Sequence, residues 1–261
     1  MIITGGSSGI GCALIKAVKN INPNLRVCNL SRSKPDDFFG LESCHLPVDL
    51  TDPDALAEGA DQAAVYAAES GPGEILLVNN SGFGDYGRFH ARDRDKQLSM
   101  MDLNMRAAVD LTARLLPLLL ERGGVVMNIA STAGFQPTPF LATYGATKAF
   151  LLHWSLALHE DLRGTGVRAL AVCPGPTRSN FFRRAGFDQP PVENGGLQGR
   201  IGGMSADAVA QQALRALCRG RVLLVTGLRN KVVAFLGALL PKTLVSRVGG
   251  WVLGKLREKP E

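Results

Sequence analysis

Thr4-Gly5-Gly6-Ser7-Ser8-Gly9-Ile10-Gly11 places four glycines and two serines within the first eleven residues of a 261-residue chain. Chain ends stay poorly ordered unless a sheet ties them down, so a glycine turn this early predicts that Met1 to Thr4 is already a strand. Beyond the turn, Ile10, Ala13, Leu14, Ala17 and Val18 recur at helical spacing, and the pattern stops near Asn20 and Pro23. Strand, glycine turn and helix in that order put backbone N–H groups at a helix N-terminus. There the dipole is positive and the lack of side chains admits a pyrophosphate. Gly5, Ser7, Ser8, Gly9, Ile10 and Gly11 are therefore candidate ligand-binding residues. The glycine spacing alone equally suits an ordinary strand-to-helix turn.

Working outward, Leu25 to Leu30, Ser43 to Val48, Glu74 to Asn79, Gly124 to Ala130 and Val167 to Cys173 read as short apolar strands. Asp52 to Ser70, Asp95 to Arg122 and Thr143 to Arg163 read as helices between them. Continuous apolar strands separated by helices predict an α/β fold, a Rossmann-type doubly wound parallel sheet with helices on both faces. No low-complexity linker or internal repeat divides the chain, which reads as a single domain.

Composition narrows the function. Hydrophobic residues at 46% and charged residues at 20% describe a globular chain. The net charge of +6 is scattered, with no basic run interleaved with aromatics, so no nucleic-acid partner is expected. Five cysteines without a CxxC pair point to free thiols in a reducing, cytoplasmic setting. The four histidines lack metal-ligand spacing, and no metal is expected. The start also lacks the charged lead and apolar run of a signal peptide.

In an open parallel sheet, ligands bind beyond the carboxyl ends of the strands, so the residues there matter most. Ser31-Arg32 follows the second strand. An arginine suits the 2′-phosphate of NADP where an acidic residue would suit NAD, and a solvated loop charge is the other reading. Asn79-Asn80-Ser81-Gly82 follows the fourth strand and Ser131 the fifth; Tyr144 and Lys148 share a helical face in "YGATK". Reduction of a carbonyl needs a proton donor for the nascent alkoxide, and free tyrosine, with a pKa of about 10, is poorly matched to it. An ammonium one turn away is expected to favour the phenolate, and a serine hydroxyl can polarise the carbonyl oxygen.

In this order, Gly5-x3-Gly9-x-Gly11, Asp49, "NNSG" at 79 to 82, Asn104, Ser131, Tyr144-x3-Lys148 and "PGPT" at 174 to 177 resemble the short-chain dehydrogenase/reductase family. The resemblance spans roughly residues 1 to 227. It implies Tyr144 as acid/base, Ser131 as ligand of the substrate oxygen, Lys148 as tuner of the tyrosine and ligand of the nicotinamide ribose, and Asn104 in a water relay to the lysine. For the cofactor, preferentially NADP(H), it implies Asp49 at the adenine, Asn80 stabilising the central sheet while lining the adenosine side, Thr177 at the nicotinamide carboxamide, and Gly82, Pro174 and Gly175 as further cofactor-binding residues. Asp49 also reads as a local turn or cap residue, and Thr177 as a turn hydroxyl.

Phe83, Phe135, Phe140, Phe181 and Phe182 flank the catalytic face, which favours an apolar or acyl substrate; residues 181 to 203 occupy the family's substrate-lid region, with Arg183 and Arg184 either meeting an anionic group or solvated. Residues 228 to 261 form a basic amphipathic extension, with Val232 to Leu240 and Val248 to Leu256 beside Lys231, Lys242, Arg247, Lys255 and Arg257. Each stretch is too short to cross a bilayer, which takes about twenty apolar residues. Packing on the core or a subunit and peripheral contact with a membrane surface both remain open. The tail is similar to those of a bacterial subgroup close to DltE-type reductases.

The chain thus reads as an NADPH-dependent carbonyl reductase, or the reverse secondary alcohol dehydrogenase, on a small-molecule substrate. The alternative is a non-catalytic nucleotide sensor or scaffold on the same fold; the short chain disfavours an epimerase. By resemblance, helices 95 to 122 and 143 to 163 would pair in a homodimer or homotetramer.

Overall fold

The computed structural model describes residues 1–179, 181–187 and 203–254. The chain runs β1 (Ile2–Thr4), α1 (Gly9–Lys19), β2 (Val27–Leu30), β3 (Ser43–Leu46), α2 (Pro53–Ala68) and β4 (Ile75–Asn79). It continues through α3 (Arg94–Met101), α4 (Ala107–Arg122), β5 (Gly124–Ile129), α5 (Ala142–Asp161), β6 (Val167–Cys173), β7 (Thr177–Arg178) and the short α6 (Phe181–Arg184). The last elements are β8 (Met204–Ser205), α7 (Ala206–Cys218), β9 (Leu223–Val225), α8 (Leu228–Leu239) and α9 (Lys242–Gly254).

Seven parallel strands lie in the order β3-β2-β1-β4-β5-β6-β9, and β7 pairs with β8 apart from them. Winding reverses between β1 and β4, in register Ile2 with Leu77 and Ile3 with Val78, so the crevice for a ligand opens at their carboxyl ends. Ala13, Leu14 and Val18 of α1 meet Ala210, Ala213 and Leu214 of α7 on one face. On the other, Leu56 and Ala60 of α2 join Leu111, Leu115 and Leu119 of α4 and Leu162 after α5.

A buried polar chain fixes the helices over this second face. Asn79 Nδ2 donates to Thr112 Oγ1 (3.0 Å) and Asn128 Oδ1 (2.8 Å), and Asn128 Nδ2 donates to Ser155 Oγ (2.8 Å). Buried amide bonds of this kind set one registry for the packed elements, here α4 and α5 on β4 and β5, although Asn79 Oδ1 finds no partner among the described residues.

The expected doubly wound sheet is present, with three local differences. β2 starts at Val27 because Pro23 and the turn in which Asn24 N donates to Asn22 Oδ1 hold the chain off the sheet. β3 stops at Leu46 because Pro47 has no N–H for a ladder. The single helix expected over 95 to 122 is instead interrupted by a π turn at Asp102–Arg106. Such turns insert one residue into a helix and cluster at functional sites.

Candidate active site

Both glycines at the mouth of the first turn need left-handed backbone: Gly5 has φ +66° and Gly9 φ +57°. The turn is held from below. Gly6 N donates to Asn29 Oδ1 (2.7 Å), while Asn80 Nδ2 donates to the carbonyls of Thr4 (2.9 Å) and Gly5 (3.0 Å). Thr4 Oγ1 accepts from the N–H groups of Asn80 and Ser81. Ser8, the N-cap of α1, makes no side-chain cap bond, and the first turn carries no acid. With Gly5, Ser7, Ser8, Gly9 and Ile10 lining a cavity, those uncapped N–H groups fit the pyrophosphate of a dinucleotide. Gly11 stands behind the cradle, not in it. It is buried outside the cavity lining, and a Cβ there would lie 2.4 Å from the Gly5 carbonyl oxygen, so its role is close helix packing.

At the end of β2, Asn29 Nδ2 donates to Ser31 Oγ (2.8 Å), so one buried amide supports both the glycine turn and this strand end. Arg32 is exposed at the cavity edge, its guanidinium 4.0 Å from Asp49. Asp49 accepts from Thr51 N (3.0 Å) and Thr51 Oγ1 (2.8 Å); the first of these bonds does most to hold its carboxyl below the usual range, and Arg32 adds to it. The cap of α2 is Asp52, which accepts from Asp54 N and Ala55 N, so Asp49 closes a turn ahead of that helix.

Ser131, Tyr144 and Lys148 come together on the cavity wall. Ser131 Oγ accepts from Ala133 N (3.1 Å), which caps a 3-10 turn at Thr132–Phe135, and its hydroxyl donates to the Pro174 carbonyl (3.5 Å). Lys148, 5% exposed, donates to the Ile129 carbonyl (2.8 Å) with Nζ 5.9 Å from the Tyr144 ring centre. Burial pushes the Tyr144 phenol up to about 12 against the pull of Ser131, and burial lowers Lys148 to about 8, opposed by the Cys173 thiol. The expected depression of the tyrosine by the lysine is absent from the protein by itself. Desolvation dominates both groups, and one of the three ammonium N–H donors goes to Ile129.

Asn104 lies in the π turn, 1% exposed and outside the cavity lining. Its Oδ1 accepts from Phe83 N (3.1 Å), and Nδ2 donates to the Phe83 carbonyl (3.0 Å) and Thr147 Oγ1 (3.0 Å). Both amide hydrogens are spent on clamping the loop after β4 to α5, which leaves one Oδ1 lone pair for a water. Gly82 keeps this corner open, since a Cβ there would lie 2.9 Å from Asn104 Oδ1 and 3.3 Å from Lys148 Nζ. Pro174, Gly175 and Thr177 line the same cavity; the Pro174 carbonyl accepts from Thr132 N, and Thr177 Oγ1 donates to the Gly175 carbonyl.

The cavity holds about 1400 Å³ and extends past the cradle to an apolar chamber. Phe83, Phe181 and Phe182 line it, with the Phe181 ring 5.1 Å from that of Tyr144. Phe135 instead packs with Leu152 and Ala130, and Phe140 packs against Tyr86. Arg184 reaches the cavity and Arg183 does not. Residues 188–202 of the expected lid, and Lys255, Leu256 and Arg257 of the tail, lie outside the described residues. The far wall comes from α8 and α9, which sequence reasoning left as a tail of open role. Tyr86 ties α9 down through a bond from its hydroxyl to the Leu253 carbonyl (2.6 Å). Asn29 was also missed; its signal was a polar residue inside the apolar run Val27-Cys28-Asn29-Leu30. Among the described residues no cluster could hold a metal ion.

The short chain dehydrogenase family model matches residues 1–189. The chain is 33% identical over 207 residues to the uncharacterized oxidoreductase YbbO of Escherichia coli, covering 77% of this chain and 75% of that protein. It is 34% identical over 185 residues to ketoacyl reductase HetN of Nostoc, covering 67% of this chain and 62% of that one. A short-chain dehydrogenase from Sphingobium yanoikuyae, solved with NADPH, superposes with a TM-score of 0.75 at 27% identity, over 100% of this chain and 97% of that one. A nicotinamide-nucleotide cradle beside a serine, tyrosine and lysine, on a fold and sequence shared with these proteins, places the chain in the short-chain dehydrogenase family as an NAD(P)-dependent oxidoreductase.

Proposed function

We propose that the chain is an NADPH-dependent carbonyl reductase for apolar or acyl-type ketones, also able to oxidise the corresponding secondary alcohols. The observation that carries this reading is that Ser131, Tyr144 and Lys148 meet on the wall of one cavity whose far side is lined by apolar residues of α8 and α9. Gly5 to Ile10 would hold the pyrophosphate at the α1 N-terminus, Asp49, Asn80 and Gly82 the adenosine half, Pro174, Gly175 and Thr177 the carboxamide side, and Lys148 the nicotinamide ribose. Arg32, exposed beside Ser31, meets a 2′-phosphate and sets the preference for NADP(H). Bound nicotinamide supplies the hydride to the carbonyl carbon.

Ser131 holds the carbonyl oxygen and polarises it. Tyr144, whose phenol stays protonated over the whole neutral range, gives its proton to that oxygen as the C–O bond becomes an alkoxide. The phenolate left behind sits beside the Lys148 ammonium, which stabilises it until a proton returns from solvent. Asn104 acts as a positioning residue through the Phe83 loop. For assembly, the exposed Leu98, Met101 and Phe150 on α3 and α5 support a homo-oligomer paired through those helices. The site calls for no nucleic acid, and we place the enzyme in the cytoplasm.

NADPH oxidation across a panel of ketones and 3-oxoacyl thioesters of increasing chain length tests the reading. kcat/KM rising with chain length is expected, because each methylene entering the apolar chamber contributes about 0.8 kcal/mol. A preference for small hydrophilic ketones, or none turned over while NADPH binds, would overturn it.

A further inference from the structure

On a globular surface an amphipathic helix turns its polar side outward. α8 instead carries large apolar side chains on its outer side as well as toward the cavity. Leu228, Val232, Phe235 and Leu239 recur at i, i+4, i+7 and i+11, lie outside the cavity lining, and are 78%, 53%, 65% and 68% exposed. Trp251 of α9, 65% exposed, also stays out of the cavity. The immediate chain neighbours of these outer side chains, Val233, Leu236, Leu240 and Val252, line the cavity. Val233, Leu236, Leu240 and Val252 are themselves partly exposed, so the helix pair presents apolar side chains both to the outside and to the cavity that reaches Tyr144.

Charge identifies the partner. Between Gly227 and Gly254 the chain carries Arg229, Lys231, Lys242 and Arg247 and no Asp or Glu, and all four cations are exposed. Lys242 also donates to the Gly237 carbonyl (2.6 Å), which fixes the turn between the two helices. Two copies meeting through this face would set like charges together, which costs affinity. A bilayer rich in anionic lipid matches both features, apolar side chains for the acyl boundary and cations for the headgroups. Trp and Phe prefer that boundary. No described helix is long and apolar enough to cross it, so the face would lie on the surface.

We propose that the α8–α9 face docks on an anionic membrane surface and takes an apolar substrate from the lipid into the cavity. Delivery rests on the reductase reading above; docking does not.

Sedimentation of the full chain with phosphatidylcholine vesicles, with and without phosphatidylglycerol, tests the docking. The comparison is a Phe235→Ser/Leu239→Ser/Trp251→Ser variant, whose three positions lie outside the cavity lining. The parent is expected to bind the phosphatidylglycerol vesicles, less so as salt rises. The variant should bind on the order of 1000-fold more weakly, since each of the three large side chains, when buried, is worth about a factor of ten. NADPH affinity and unfolding temperature should match in the two proteins. Absence of vesicle binding by the folded parent would overturn docking. So would a vesicle-blind oligomer that the triple substitution dissolves, which would give the face to a second copy.

For delivery, a long-chain ketone presented in vesicles should be reduced faster by the parent than by the variant, while both reduce a water-soluble ketone equally. Equal rates on the vesicle ketone would remove delivery. No turnover of either ketone by either protein would contradict the reductase reading and delivery together, with docking still decided by sedimentation.

Discussion

Lys148→Met separates what the site costs the fold from what it does for chemistry. Burial holds Lys148 near 8 against an ordinary value of 10.5. At about 1.4 kcal/mol per pH unit, keeping that charge inside costs the folded state on the order of 3 kcal/mol. Methionine follows the same path with an unbranched apolar chain and removes the charge. It also removes the bond to the Ile129 carbonyl, a loss of about 1 kcal/mol. The variant should therefore gain about 2 kcal/mol at neutral pH, or roughly 4–8 °C in Tm for a chain of this size, while losing turnover.

The sign of the pH dependence makes this prediction specific. Below pH 8 both folded and unfolded states hold the lysine proton, and the penalty is complete. Between 8 and 10.5 the folded state releases the proton first, so the parent gains stability as pH rises and the variant's advantage shrinks. Urea unfolding of both proteins near neutrality and again at about pH 10 measures the difference. A variant less stable than the parent at neutral pH, or an advantage that grows with pH, would refute the reasoning.

Arg32→Asp should move the ratio of NADPH to NADH dissociation constants toward NADH by at least about tenfold, read by calorimetric titration, since it exchanges a phosphate partner for a repelling charge. Gly11→Ala drives a Cβ to within 2.4 Å of the Gly5 carbonyl oxygen, so a stability loss of about 1–3 kcal/mol and weaker nucleotide binding are expected by thermal unfolding and titration. In the reduction direction kcat/KM should hold steady below pH 8 and fall above it as Lys148 loses its charge, because Tyr144 keeps its proton to about 12. A fall that begins near pH 6 would contradict this.

The sheet was legible because its central strands are short apolar runs closed by glycine or polar residues, as in Glu74 to Asn80 and Gly124 to Ser131. The strand-end rule then pointed to Ser31, Asn80 and Ser131, which the structure does gather along one cavity. The π turn at Asn104 was not legible, since one inserted residue barely alters a 3.6-residue periodicity over 28 positions. Burial hid the protonation balance as well. Spacing places Lys148 one turn from Tyr144, but only the packed structure shows that burial is the largest influence on both groups. Asn29 stands out locally as a polar residue in an apolar run, but its bond to Gly6, like the contacts of the inner side chains of α8 and α9, joins positions distant in sequence.

Tyr144→Phe tests the central claim most directly, with NADPH binding and single-turnover ketone reduction measured on the same sample. The substitution removes only the phenolic hydroxyl. The account predicts unchanged nucleotide affinity and a reduction rate lowered by at least the 100-fold typical of a lost general acid. A rate equal to the parent's, with NADPH bound as before, would contradict it.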